Sequence, residues 1–275
     1  MTRGTVGSMP TQAEKGADFR ALHEGDPFVI PNPWDAGSAK VLEGLGFKAL
    51  ATTSSGFAFT LARRDGRTTL DEVCEHVAAL DAATSVPVAV DLENGYGAEP
   101  EAAARAIAAV AEAGAVGGSI EDWDPDGHLY DPSHAAERVA AAADTARALP
   151  FPFVLTARAE NHIRGNPDLE DTIARLQAFE AAGADVLYAP GLVTTDEIRA
   201  VCAAVARPVN VLATRQLTFA EIAGAGAQRV SVGGALTWTA ANALVEAAVA
   251  IRERGDFSLL GVSPRVDDGA SAESR

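Results

Sequence analysis

The chain is expected to fold as a single-domain α/β protein, a (β/α)8 TIM barrel, and three observations predict it. Eight short runs rich in Val, Ile and Leu alternate with longer Ala/Glu/Arg segments of helical period. Those runs are too continuously apolar for half-exposed hairpin strands and read as a parallel sheet covered on both faces. The length, 275 residues, is close to that of one such barrel.

The N-terminal segment, residues 1–25, has no apolar stretch of the kind a secretion signal carries and is expected to be a tail. The eight units then follow in order across residues 26–255. Strands at 28–32, 49–53, 86–91 and 117–121 precede helices at 36–45, 70–82, 101–113 and 134–149. Strands at 153–157, 185–189, 209–213 and 229–233 precede helices at 169–182, 195–206, 219–225 and 239–252. Gly44-Leu45-Gly46-Phe47, Ala113-Gly114-Ala115, Ala182-Gly183-Ala184 and Gly224-Ala225-Gly226-Ala227 each place Gly where a helix end needs positive φ before the next strand. Thr69, Asp168 and either Thr194 or Thr195 stand at helix starts, each followed by first-turn acids, and read as N-caps. An open doubly wound sheet would also alternate strands and helices, but no G-x-G-x-x-G follows the first strand. Residues 256–275 are polar and expected to be a flexible C-terminal tail.

A formal net charge of −16 disfavours nucleic acid and anionic membrane as partners, since both reward Lys and Arg clusters. No apolar run approaches the roughly 20 residues of a membrane span. The chain therefore reads as soluble and cytoplasmic. Two cysteines, Cys74 and Cys202, lie in helical patterns far apart and read as small buried hydrophobes, neither a redox pair nor a zinc site.

Chemistry concentrates at the carboxyl ends of the strands, the catalytic face of such a barrel. Asp91-Leu92-Glu93-Asn94-Gly95-Tyr96-Gly97 ends the third strand and Glu121-Asp122 the fourth. Clustered carboxylates repel one another unless a cation or shared protons hold them together. Strand alternation puts Asp91 and Glu93 on one side of the chain. Asp91 is the candidate direct ligand of Mg²⁺, with other acids reaching the ion through water, and Asp65 adds an acid from the loop after the second strand. Arg158 ends the apolar fifth strand, where a guanidinium suits two-point contact with a carboxylate or an ion pair to Glu121 or Glu160. Thr52-Thr53-Ser54-Ser55-Gly56 forms a hydroxyl-rich turn, and Trp34 supplies an aromatic wall beside a helix start.

With these residues assembled, the chain resembles the isocitrate lyase/phosphoenolpyruvate mutase superfamily. The resemblance rests on 32–39, 53–56, Asp91 to Gly97, Ile120-Glu121-Asp122 and Ala157-Arg158-Ala159-Glu160, in that order. It implies a Mg²⁺-dependent barrel, with Mn²⁺ able to substitute, acting beside an enolate on small anionic 2-oxo acids. It also implies a homo-oligomer, dimer or tetramer, in which the last helix can be exchanged between barrels. Carried over by position, Asp91 holds the metal with Asp65, Glu93 and Glu121 in its water shell. Trp34, Ser54, Ser55, Gly56, Arg158 and Asn210 bind substrate.

One loop departs from that resemblance. Lyases of the family carry a Cys-containing loop after the Glu-Asp pair, and phosphonomutases a Lys-rich loop with an Asn; here the loop is Trp123 to Pro132, with neither. His128 and Tyr130 are its only non-acidic proton-transferring side chains and are the candidate catalytic acids, beside Arg158. The expected activity is thus a lyase on C–C or P–C bonds, resembling an oxaloacetate decarboxylase or phosphonopyruvate hydrolase. The alternatives are isocitrate or 2-methylisocitrate cleavage, phosphoenolpyruvate phosphonomutase activity, and a barrel that binds metabolites without catalysis.

Overall fold

The computed structural model describes residues 9–262. Its strands are β1 (Phe28–Ile30), β2 (Leu50–Ala51), β3 (Val88–Asp91), β4 (Gly117–Glu121), β5 (Trp123–Asp124), β6 (His128–Leu129), β7 (Val154–Arg158), β8 (Val186–Tyr188), β9 (Val209–Leu212) and β10 (Arg229–Ser231). Eight of them, all parallel, run in the order β1-β10-β9-β8-β7-β4-β3-β2, a nearly closed (β/α)8 barrel. The ends of this run meet at β1 and β2. There the Ala51 N–H donates to the Pro31 carbonyl (3.1 Å). Asn32 adds a side-chain stitch, its Nδ2 donating to the Thr52 carbonyl while its Oδ1 accepts from the Val232 and Gly233 N–H groups.

Helices α1 (Gln12–Leu22), α2 (Ala36–Gly44), α3 (Ser54–Thr60), α4 (Leu70–Ala83), α5 (Pro100–Glu112), α6 (Pro132–Ala148), α7 (Leu169–Ala182), α8 (Thr195–Ala204), α9 (Phe219–Gly224) and α10 (Ala235–Arg254) complete the described chain. The expected caps form: Thr69 and Thr194 make capping boxes with Glu72 and Glu197, and Asp168 accepts from two first-turn N–H groups. Gly46, Gly114, Gly183 and Gly226 all adopt positive φ. Buried Val, Ile, Leu and Ala fill the layer between sheet and helices, with Ala-rich faces on α5 and α6.

Three segments differ from expectation. The N-terminal segment was expected as a tail, but 12–22 form α1, capped by Thr11 and Glu14. Its fully buried Phe19 packs with Ile30, Ala89, Val116 and Val154 to close the amino-terminal end of the barrel. Gly117 makes room for it, since a Cβ there would lie 2.6 Å from the Phe19 ring. The turn expected at 52–56 is instead the start of α3, with Thr53 as its N-cap. The loop after β4 contains the antiparallel hairpin β5-β6. Residues 1–8 and 263–275, including most of the C-terminal tail, lie outside the described residues.

Candidate active site

β3 delivers Asp91 to the rim, where its Oδ2 accepts from the Ser54 N–H (3.1 Å) at the start of α3 and its Oδ1 from the Glu93 N–H (3.3 Å). The strand stops at Asp91, so Glu93 does not reach the site by alternation. It turns there through a left-handed backbone, φ 50°, followed by Gly95 at 78° and Tyr96 at 61°. A non-glycine residue in that region is strained, and such strain gathers at functional turns. Thr68 Oγ1 steadies the Glu93 carboxylate at 3.3 Å.

Asp65, Glu93 and Glu121 line one pocket with Arg158, Ser54 and Asn94, a cavity of about 190 Å³. All three carboxyls are pushed toward the protonated form. Burial raises Glu93 to about 7, aided by the charges of Asp91 and Asp65. It raises Asp65, with repulsion from Asp91 adding to it, and Glu121, where Glu160 and Asp91 add. A cation among them would reverse these shifts. Among the described residues no three His, Cys, Asp or Glu side chains converge closely enough to ligate one ion directly. That donor set fits Mg²⁺, which keeps several waters and takes one or two carboxylates.

Positive charge faces these acids. Arg158 Nη1 lies 3.5 Å from Glu121, its Nε bonds Glu160, and its guanidinium sits 5.1 Å over the Tyr188 ring. Arg164, on the loop after β7, also bonds Glu160 (2.8 Å) and stacks on Trp123 at 4.6 Å. Glu160, wholly buried, thus aligns two guanidinium groups along one wall.

The other expected residues fall elsewhere. Asp122 turns away from the mouth, accepting from the Glu160 N–H (2.7 Å) and from Arg175 Nη1 (3.0 Å) in a buried ion pair. His128 is exposed on the hairpin, and neither it nor Tyr130 lines the pocket. Tyr130 donates to Asp124 (2.6 Å) and accepts from Asn94 Nδ2 (2.9 Å). Burial, with that bond to Asp124, lifts its hydroxyl to about 12, which suits a structural post. Ser54 is at the pocket, whereas Ser55 bonds Thr53 (3.2 Å) and Gly56, with Trp34 beside it, lies so close to Thr237 and Thr53 that a Cβ would clash. Asn210 lies deeper, on the barrel axis, bonding Ser231 and Arg229.

Arginines are what the sequence reading missed. Arg67 and Arg164 line the pocket. Buried Arg138 ties the Asn94, Gly97 and Glu121 carbonyls together beneath the acidic turns. Arg229 and Ser231 alternate with Val230 and Val232 in the last strand, a period-two signal for charge on the barrel axis.

The chain is similar to known proteins in sequence and in fold. The sequence profile of the family described as phosphoenolpyruvate phosphomutase matches residues 19–252. A Burkholderia cenocepacia J2315 structure assigned as a lyase/mutase superposes with TM-score 0.89 at 51% identity, covering 92% of this chain and 94% of that one. Phosphonopyruvate hydrolase in complex with oxalate and Mg²⁺ superposes with TM-score 0.80 at 25% identity, covering 94% and 92%. The oxaloacetate decarboxylase of Rhodopseudomonas palustris is 28% identical, over 82% of this chain and 78% of its own. A match running from the N-terminal helix to the last, on a barrel of the same shape, shows that the chain belongs to the phosphoenolpyruvate phosphomutase family, within the PEP mutase/isocitrate lyase superfamily of lyases and mutases.

Proposed function

We propose that the chain is a Mg²⁺-dependent lyase that breaks the bond between the carbons α and β to the carbonyl of a small 2-oxo acid, with decarboxylation of an oxaloacetate-type acid the reaction its pocket suits best. The observation that carries this reading is the meeting of Asp65, Glu93, Glu121 and Arg158 on one cavity of about 190 Å³. Asp91 would hold the ion, with the other three carboxylates reaching it through water. Bound Mg²⁺ supplies a Lewis acid that stabilises negative charge on the 2-oxo oxygen.

The chain's own side chains do the rest. Arg158 grips the carboxylate next to the oxo group in two-point contact, and Glu160 holds that guanidinium in place. Decarboxylation passes the C–C bonding pair onto the carbonyl, releases CO₂ and leaves an enolate that water protonates. No side chain has to remove a proton first. Cleavage of a 2-hydroxy acid instead begins by deprotonating a hydroxyl, a step that decarboxylation does not need. The similarity to an oxaloacetate decarboxylase, and to a hydrolase that binds oxalate with Mg²⁺, supports the same choice.

Thermal unfolding and turnover with oxaloacetate, phosphonopyruvate and 2-methylisocitrate, with Mg²⁺ or with chelator, test the reading. Stabilisation by oxalate that requires Mg²⁺, and release of pyruvate from oxaloacetate, are expected. Asp91→Ala should abolish the Mg²⁺-dependent shift and lower turnover by roughly 10²-fold or more. Full activity in chelator, or faster turnover of 2-methylisocitrate than of oxaloacetate, would overturn it.

A further inference from the structure

Arg229 occupies an unusual position for an arginine. It projects from β10 onto the barrel axis and is 6% exposed. Its Nε donates to Asn210 Oδ1 (2.9 Å), its Nη2 to Thr156 Oγ1 (3.0 Å), and its Nη1 to His23 Nε2 (3.2 Å). All three acceptors are neutral. An arginine always donates, so His23 must accept through Nε2 and carry its proton on Nδ1, which donates to the Phe19 carbonyl (2.8 Å). Burial first, and the Arg229 charge second, hold His23 unprotonated down to about 3.

The guanidinium has five N–H groups, and two remain without a partner among the described residues. Burial brings its pKa to about 10, still well above neutral pH, so the positive charge persists with no carboxylate beside it. A buried cation with spare donors calls for an anion. The space beside it exists: a cavity of about 60 Å³ on the axis, below the pocket that holds Glu93 and Glu121. Asp91, held by the Ser54 N–H, and Arg158, paired with Glu121 and Glu160, also border the cavity, and neither hydrogen-bonds to Arg229. Thr156, having accepted from Arg229, has its hydroxyl proton to give. Ser119, its register partner across β4 and β7, presents a second hydroxyl to the same space.

We infer that this cavity is a binding site for one small monovalent anion, of the size and charge of chloride, held by Arg229 with the hydroxyls of Thr156 and Ser119. A single water needs about 10–15 Å³ of such space, so the cavity admits a halide together with a few waters. The site adjoins the proposed substrate pocket, with Arg158 bordering both, and does not depend on which reaction is correct. Its effect is on the fold: the anion neutralises the guanidinium that ties α1, through His23, to β7 and β9.

Thermal unfolding of the whole chain in sodium chloride against sodium gluconate, at equal ionic strength and without Mg²⁺, reads the site directly. Saturable stabilisation by chloride and by bromide is expected, with Arg229→Met losing the response. A crystal grown in bromide should show an anomalous peak in contact with Arg229 and Thr156, and this measurement needs no variant should Arg229→Met fail to fold. Equal melting temperatures in the two salts, a chloride response kept by Arg229→Met, or water alone in the bromide crystal would each overturn the inference.

Discussion

Arg158 and Glu93 carry the clearest consequences at the scale of single residues. Lysine at 158 would keep the charge but lose the planar fork that Glu160 aligns. Arg158→Lys is therefore expected to raise KM for a 2-oxo acid by about tenfold, the loss of one good hydrogen bond, with a smaller change in kcat. Steady-state kinetics checks this; an unchanged KM would remove Arg158 from substrate binding. Glu93 binds its proton more tightly folded, near 7, than at the ordinary 4.5. Its favourable contribution to stability is present below about 4.5 and is lost as pH rises through about 7. A cation bound there would take over the proton's role above that range. The rise in melting temperature with Mg²⁺ should thus be larger at pH 8 than at pH 5, and Glu93→Gln should narrow the difference. Acids at strand ends were legible because a carboxylate closing an apolar run has no structural reason to be there. Arg164 and Arg229 escaped notice because a lone arginine in a loop or at a strand start reads as surface, and its partners come from distant parts of the chain.

Among the elements, α1 shows most plainly where sequence patterning runs out. Three of its residues, Lys15, Gly16 and Phe19, are buried, too few for an amphipathic stripe to stand out. It docks through particular contacts instead: Phe19 under the barrel, Lys15 Nζ on Asp81 (2.7 Å) and on the Thr84 carbonyl (2.9 Å). His23 follows α1 and is neutral in the fold, lowered from 6.5 to about 3 by burial and then by Arg229. Below 6.5 the unfolded chain binds the proton that the folded chain refuses, so this contribution is present above 6.5 and lost as pH falls toward 3. Hydrogen exchange in α1 is expected to quicken between pH 6.5 and pH 4, after correction for intrinsic rates, while β4 and β7 stay protected. Equal protection across that range would contradict it. The barrel helices, by contrast, were legible from their caps and glycine ends, because those signals are local and each needs one residue type at one place.

At the scale of the molecule, the outer face of α10 stands out. Leu244 and Val245 are 68% and 59% exposed, and Trp238, packed edge-on against Phe59, is 43% exposed. Apolar surface of this kind marks association between chains. A homo-oligomer is expected in sedimentation equilibrium, with the paired change Leu244→Glu and Val245→Glu shifting it toward monomer while the Mg²⁺ response is kept. A wild-type monomer would refute this. The barrel itself was readable because its alternation repeats eight times, so an error in one unit leaves the rest standing. Its seam could not be read, because closure depends on the summed twist of the sheet. Between β1 and β2 the described backbone offers the bond from Ala51 to Pro31. The ring is therefore a split hoop, with β7 near the middle of the strand run and a seam at its two ends bridged by that bond and by the Asn32 side chain. The seam lies beside Trp34 and Ser54, while Arg158 stands on a strand braced by a neighbour on either side, so the guanidinium is carried by the wall farthest from the break.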